Sequence, residues 1–100
     1  MAEPRITSQG MRVLGAFVDA GHIELTGADI TERIGMLSGT LYPILIRFRE
    51  AGWLADRWED EEAFELGRPK KRFYRLTAVG QRAYERGKAK ASRGEFAWAR

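Results

Sequence analysis

Hydrophobic residues in this chain follow two spacings, one near 3.6 residues and one near two, and the change between them marks out its parts. Up to Gly52 the period is helical. Met11, Leu14, Phe17 and Val18 form the buried stripe of a first predicted helix. Thr7 stands at its N-cap, Ile6 and Met11 are placed for a hydrophobic staple, and Gly21 is a natural C-cap. Ile23-Glu24-Leu25 alternates apolar and polar, enough for a very short strand. Thr26 then opens a second helix, with Asp29 positioned to reach back in a variant capping box and Leu25 and Ile30 repeating the staple. Ile30 and Ile34 face inward, and Gly35 ends the helix after about two turns.

The next stretch, Ser38 to Ala51, organises the rest. Leu41, Ile44, Leu45, Phe48 and Ala51 fall on one apolar arc, while Gly39, Pro43, Ile46 and Glu50 face away. Thr40, Arg47, Tyr42 and Arg49 flank that outer face. Small, hydroxylic and basic groups of this kind suit the major groove of DNA, although an ordinary amphipathic helix has the same period. A capped short helix, a Gly turn and a second amphipathic helix make a helix-turn-helix, an arrangement that also occurs in folds that bind no DNA. Pro43 constrains the start. With Ser38 as cap it lies in the second turn and removes a backbone bond to Gly39; with the cap nearer Thr40 it lies in the first turn at little cost. We expect an irregular or 3₁₀-like start that turns Thr40 and Tyr42 outward.

After Gly52 the alternation shortens. Trp53 to Trp58 and Arg72 to Leu76 are rich in aromatics and read as strands, with Leu54 and Trp58 on one face and Tyr74 and Leu76 on one face. The segment between them is too long for a tight hairpin and carries a Gly-Arg-Pro break. Charge sharpens this picture. Residues 59–65 hold five acids (Glu59, Asp60, Glu61, Glu62, Glu65) and no base, and residues 68–75 hold five bases (Arg68, Lys70, Lys71, Arg72, Arg75) and no acid. A net charge of +3 is mild, but its segregation fits one surface meeting a polyanion. A helix-turn-helix followed by strand, basic loop and return strand is a winged helix. Its bases suit phosphates, with Arg68 or Lys70 placed for a minor groove; a solvated strand edge is the plainer reading.

Thr77 caps a last predicted helix running to Arg100, in which Gly80, Tyr84, Gly87, Ala91, Gly94 and Trp98 recur at steps of four and three. Glycine costs a helix about 1 kcal/mol relative to alanine, and close approach of another helix recovers it. A dimerisation helix and a frayed basic tail are the two readings. We divide the chain into a winged helix-turn-helix over 1–80 and a continuous C-terminal helix over 81–100, a mainly α fold with a small β-wing.

Composition removes other classes. There are no cysteines for disulfides or thiolate metal sites, and no apolar run long enough for a bilayer, so a cytoplasmic protein without membrane contact is expected. The only histidine, His22, has no second histidine or cysteine to cluster with and is expected in a loop or capping role. No phosphate-binding glycine loop or metal spacing is present, and Glu61 and Glu62 lack a partner base, so neither enzyme activity nor a cofactor is expected. A winged helix that docks protein, for which the acidic loop argues, stands as the alternative to one that reads DNA.

Gly39-Thr40-Leu41-Tyr42-Pro43, Leu45, Arg47, Gly52, then Gly67-Arg68-Pro69-Lys70-Lys71, Tyr74, Leu76-Thr77 and Gly80 together resemble PadR-type transcriptional regulators over about residues 7–86. Ile46 and Phe48 depart from that pattern, and the 59–66 loop is long and acidic. The resemblance implies a homodimeric winged helix that represses at inverted-repeat operators on double-stranded DNA. It places Thr40, Tyr42, Pro43 and Arg47, with wing residues 67–71, at the DNA; with Ser38, Arg68, Lys70 and Lys71 these are the candidate contacts. Dimerisation is assigned to Tyr84, Gly87, Ala91 and Trp98. A small planar aromatic effector, held between aromatics as in some PadR-type regulators, would meet Phe96 and Trp98; the plainer expectation is that these two cover the partner's first helix.

Overall fold

Thr7 starts the first helix as its composition requires: Oγ1 accepts a hydrogen bond from the Gly10 amide at 3.0 Å, opening α1 (Ser8–Asp19). The computed structural model describes residues 3–60 and 63–98. The C-cap of α1 falls one residue before the expected Gly21. Ala20 takes that role, and Gly21, in the left-handed region, donates to Val18 while His22 donates to Phe17 at 2.9 Å, a Schellman closure. His22 is therefore a capping-loop residue.

The short strand β1 (Leu25–Thr26) lies later than Ile23–Leu25, because Ile23 is exposed and Leu25 takes the core position. Thr26 is both the end of β1 and the N-cap of α2 (Gly27–Ile34). Its hydroxyl accepts from the Asp29 amide at 3.1 Å and its amide donates to the Asp29 carboxylate at 2.9 Å. Gly35 closes α2 in the left-handed conformation, and the Arg12 guanidinium of α1 donates to the Ile34 carbonyl.

Neither Ser38 nor Thr40 caps α3 (Ser38–Glu50). Leu37 is the N-cap, without a side-chain bond, and its carbonyl accepts from both Thr40 (3.0 Å) and Leu41 (2.9 Å), the expected 3₁₀-like start. Pro43 thus lies inside the helix. Leu41, Ile44, Leu45 and Phe48 are buried.

β2 (Leu54–Trp58), the one-turn helix α4 (Ala63–Leu66) and β3 (Arg72–Leu76) complete the wing. The sheet is antiparallel in the order β1-β3-β2, with Leu54 opposite Leu76, Asp56 opposite Tyr74 and Trp58 opposite Arg72. A loop throughout was expected between the long strands; α4 interrupts it. The three larger N-terminal helices and the sheet enclose a core of Met11, Leu14, Phe17, Ile30, Leu45 and Trp53.

α5 (Ala78–Ser92) begins with Thr77 Oγ1 accepting from the Gly80 amide at 3.0 Å. The helix expected through Arg100 stops at Ser92. Gly94 adopts a left-handed φ of 78°, its amide bonding Ala91 and that of Glu95 bonding Lys90. The chain then turns back, so that Trp98 meets the edge of Tyr84 at 5.7 Å between centroids. Residues 99–100 lie outside the described residues.

The small-residue seam is also spent differently from the expectation. A Cβ on Gly80 would lie 2.1 Å from the Trp53 carbonyl oxygen, and one on Gly87 2.2 Å from Met11 Sδ. The seam packs on the 51–53 turn and α1 of the same chain. Tyr84 and Gly87 are buried in this contact, and Ala91 is half-buried. Tyr84 and Gly87, expected at a dimer surface, are buried within their own chain, where they fix α5 to α1.

Candidate nucleic-acid interface

The apolar arc of α3 is consumed by the core, which leaves its other face outward. Ser38, Thr40, Tyr42, Pro43, Ile46 and Arg47 are all exposed on it. Tyr42 has a defined seat. A Cβ on Gly27 would lie 2.2 Å from its hydroxyl oxygen, so the ring rests on the first turn of α2 where only a glycine leaves room. Sequence reasoning missed Gly27, because nothing local marks a glycine at the start of a helix as making space for a residue fifteen positions on.

The wing approaches the same face. Lys71 is exposed and Lys70 half-buried. Arg68 is exposed but engaged: its guanidinium donates to both Glu59 carboxylate oxygens, at 2.6 and 3.1 Å, and to the Pro69 carbonyl at 3.1 Å. Glu59 also accepts from the Lys71 amide at 2.7 Å. The first residue of the acidic block is thus a clip across the wing; Glu61 and Glu62 lie outside the described residues. The Arg68 guanidinium, then the Lys71 amide, hold the Glu59 carboxyl at about 2, well below its usual 4.5. A depressed carboxyl stabilises the form it is bonded in above the unfolded value and loses that contribution as pH falls through the folded one. The clip is therefore expected intact at neutral pH and lost between about 4.5 and 2. An NMR titration of the Glu59 carboxyl should give a midpoint near 2, and one near 4.5 would show that the clip does not form in solution.

A second network joins wing to helix. Asp56 accepts from Arg72 Nε at 2.6 Å and lies 3.7 Å from Arg49 in the last turn of α3. Arg72 also sits over the rings of Trp58 (5.1 Å) and Tyr74 (5.8 Å). At the wing's root, Arg57 pairs with Glu24 through bonds of 2.7 and 2.8 Å. Asp56, Arg57 and Trp58 were read only as strand residues; their roles depend on register, which the sequence does not display. Between the first turn of α2, α3 and the wing lies a groove of about 380 Å³, with Tyr42, Ile46, Trp58 and Lys71 among its walls.

The candidate effector residues lie elsewhere. Phe96 and Trp98 are half-buried against the core of their own chain, and Trp98 borders a separate 380 Å³ depression with Arg12, Asp19 and Arg33. No helix among the described residues is long and apolar enough to cross a membrane.

Residues 20–86 match the model of the transcriptional regulator PadR-like family. A crystal structure of a PadR family transcriptional regulator from Eggerthella lenta DSM 2243 superposes with a TM-score of 0.68 at 20% identity, covering 85% of this chain and 75% of that one. A protein from Streptococcus mutans UA159 gives a TM-score of 0.68 at 21% identity, covering 94% and 87%. No curated protein matches the chain. The structural likenesses speak for the winged-helix fold, and the match over more than half of the sequence settles the lineage: the chain belongs to the PadR-like family of transcriptional regulators.

Proposed function

We propose that this regulator represses transcription by binding an inverted-repeat operator as a homodimer, each copy placing α3 in a major groove and its wing beside the adjacent backbone. The observation that carries this reading is the groove across which Tyr42 and Ile46 of α3 meet the wing's Lys70 and Lys71, with Thr40 and Arg47 exposed on the same helix. In this reading Thr40, Tyr42 and Arg47 address base edges, Ser38 and Pro43 seat the helix start, and Lys70, Lys71 and Arg68 address phosphates. Two-fold operator symmetry calls for a two-fold protein. The proposed dimer surface is the outer side of α1 and α5 with the returning Phe96–Trp98 segment, Ala91 included. A planar aromatic effector beside Trp98 would act by favouring one spacing of the two α3 helices.

Selection of bound duplexes from a random pool tests this directly: an enriched palindrome is expected, and no enrichment of any duplex would leave the protein-docking winged helix in its place. With Arg72 counted beside Lys70, Lys71 and Arg68, each copy offers about four phosphate-facing bases, and the log–log salt slope should be about −7. Lys71→Ala, which removes one charge from each copy, should weaken all sequences alike and shallow the slope by about two units, whereas Arg47→Ala should narrow the gap between operator and random DNA by about 1–3 kcal/mol. Unchanged specificity in Arg47→Ala would reassign that side chain to the phosphates.

A further inference from the structure

The groove between α3 and the wing has a floor of exposed large hydrophobic side chains. Trp58 is 54% exposed, Ile46 45% and Tyr42 44%, and all three border it. They belong to three different positions of the fold: Tyr42 and Ile46 one turn apart on α3, and Trp58 at the end of β2. Lys71 and Arg72 stand at the rim. Large apolar side chains kept out of the core, ringed by cations, describe a surface for a ligand that is apolar and anionic by turns. The deoxyribose–phosphate strand is such a ligand, with apolar sugar carbons alternating with charged phosphates.

Docking geometry agrees. A helix in the major groove and a wing beside or within the next minor groove must straddle the strand that separates the two grooves. The gap between α3 and the wing is where that strand has to pass. Its width is held by the Arg49–Asp56–Arg72 network, which ties α3 to the wing. The Arg72 guanidinium over the Trp58 ring fixes the indole and adds positive charge at its face.

We infer that this groove seats one strand of the bound duplex, with Trp58 packing on deoxyribose and Lys71 and Arg72 facing the flanking phosphates. The inference rests on the DNA-binding reading above and adds a contact that neither a helix-turn-helix nor a basic wing requires.

Fluorescence tests it, because the environments of the tryptophans differ: Trp53 is 1% exposed, Trp58 54%, and Trp98 is half-buried. The selected operator is titrated into the wild-type chain and into Trp58→Phe, with binding followed independently by anisotropy of labelled DNA. Saturating DNA should change the wild-type emission and protect it from acrylamide, and Trp58→Phe should lose most of both effects while remaining folded. Trp58→Ala should weaken operator binding about tenfold, equal to about 1.4 kcal/mol, with the salt slope unchanged because no charge is removed. Operator binding by anisotropy with Trp58 emission and acrylamide access unaltered would overturn the seat and leave the DNA-binding reading standing. Absence of binding in the anisotropy itself would remove both.

Discussion

Gly80→Ala should destabilise the chain by about 3 kcal/mol or more, a fall of roughly 12–24 °C in Tm for a domain of this size. Helix propensity points the other way, since alanine is favoured over glycine by about 1 kcal/mol inside a helix. Geometry outweighs it. The added methyl would sit 2.1 Å from the Trp53 carbonyl oxygen and 2.7 Å from a Leu76 methyl. The Trp53 peptide has nowhere to move: its amide donates to Phe48 at 2.8 Å, and its carbonyl accepts from the Thr77 amide and hydroxyl, each at 3.1 Å. Relief requires lifting α5 off the 51–53 turn and exposing Trp53. Gly39→Ala is the internal control, because nothing lies within 4 Å of its Cβ position and propensity alone should act. Thermal denaturation of the two variants should show opposite signs. A Gly80→Ala protein as stable as wild type would mean that α5 does not pack as described.

Gly27→Ala should leave stability almost unchanged and weaken operator binding by about 1–3 kcal/mol, the range of a base-edge contact. The clash is with the hydroxyl end of Tyr42 at 2.2 Å, a side chain free to swing outward at little cost to the fold. Its displacement moves the tyrosine from the position in which α2 holds it. The decisive measurement is a double-mutant cycle of operator affinity. In a Tyr42→Ala background, Gly27→Ala should have no further effect, because the ring it displaces is gone. Additive losses would show that Gly27 acts on DNA independently of Tyr42.

The elements legible from sequence are those set by local chemistry. Thr7, Thr26 and Thr77 each cap a helix because a hydroxyl followed three residues later by a waiting amide is a local pattern, and the 3.6-residue stripes of α1 and α3 are local too. The outward face of α3 followed from the same periodicity. Contacts across the fold were not legible. The glycines of α5 were read as the face of a partner helix, yet Gly80 and Gly87 serve α1 and a turn of their own chain; a small residue announces close approach without naming what approaches. The end of α5 at Ser92 turned on Gly94 adopting a left-handed φ, a choice that helical spacing conceals. Glu59 looked like one acid among five, and only the hairpin pairing sets it against Arg68.

The double role of Thr26 has an entropic consequence. One residue ends the strand that pairs with β3 and caps the helix that seats Tyr42, so the wing and the helix-turn-helix share a covalent and hydrogen-bonded root. Arg57 with Glu24, and Asp56 with Arg49 and Arg72, brace the same junction. Both elements proposed to face DNA, α3 and the strands of the wing, are thereby ordered by folding itself. Association then costs little additional conformational entropy, of which about 0.5–1.5 kcal/mol accompanies each newly immobilised long side chain. If the proposed DNA-binding role holds, affinity in such a frame is governed by how well a preformed surface matches the duplex, and mismatched duplexes are expected to be rejected rather than accommodated.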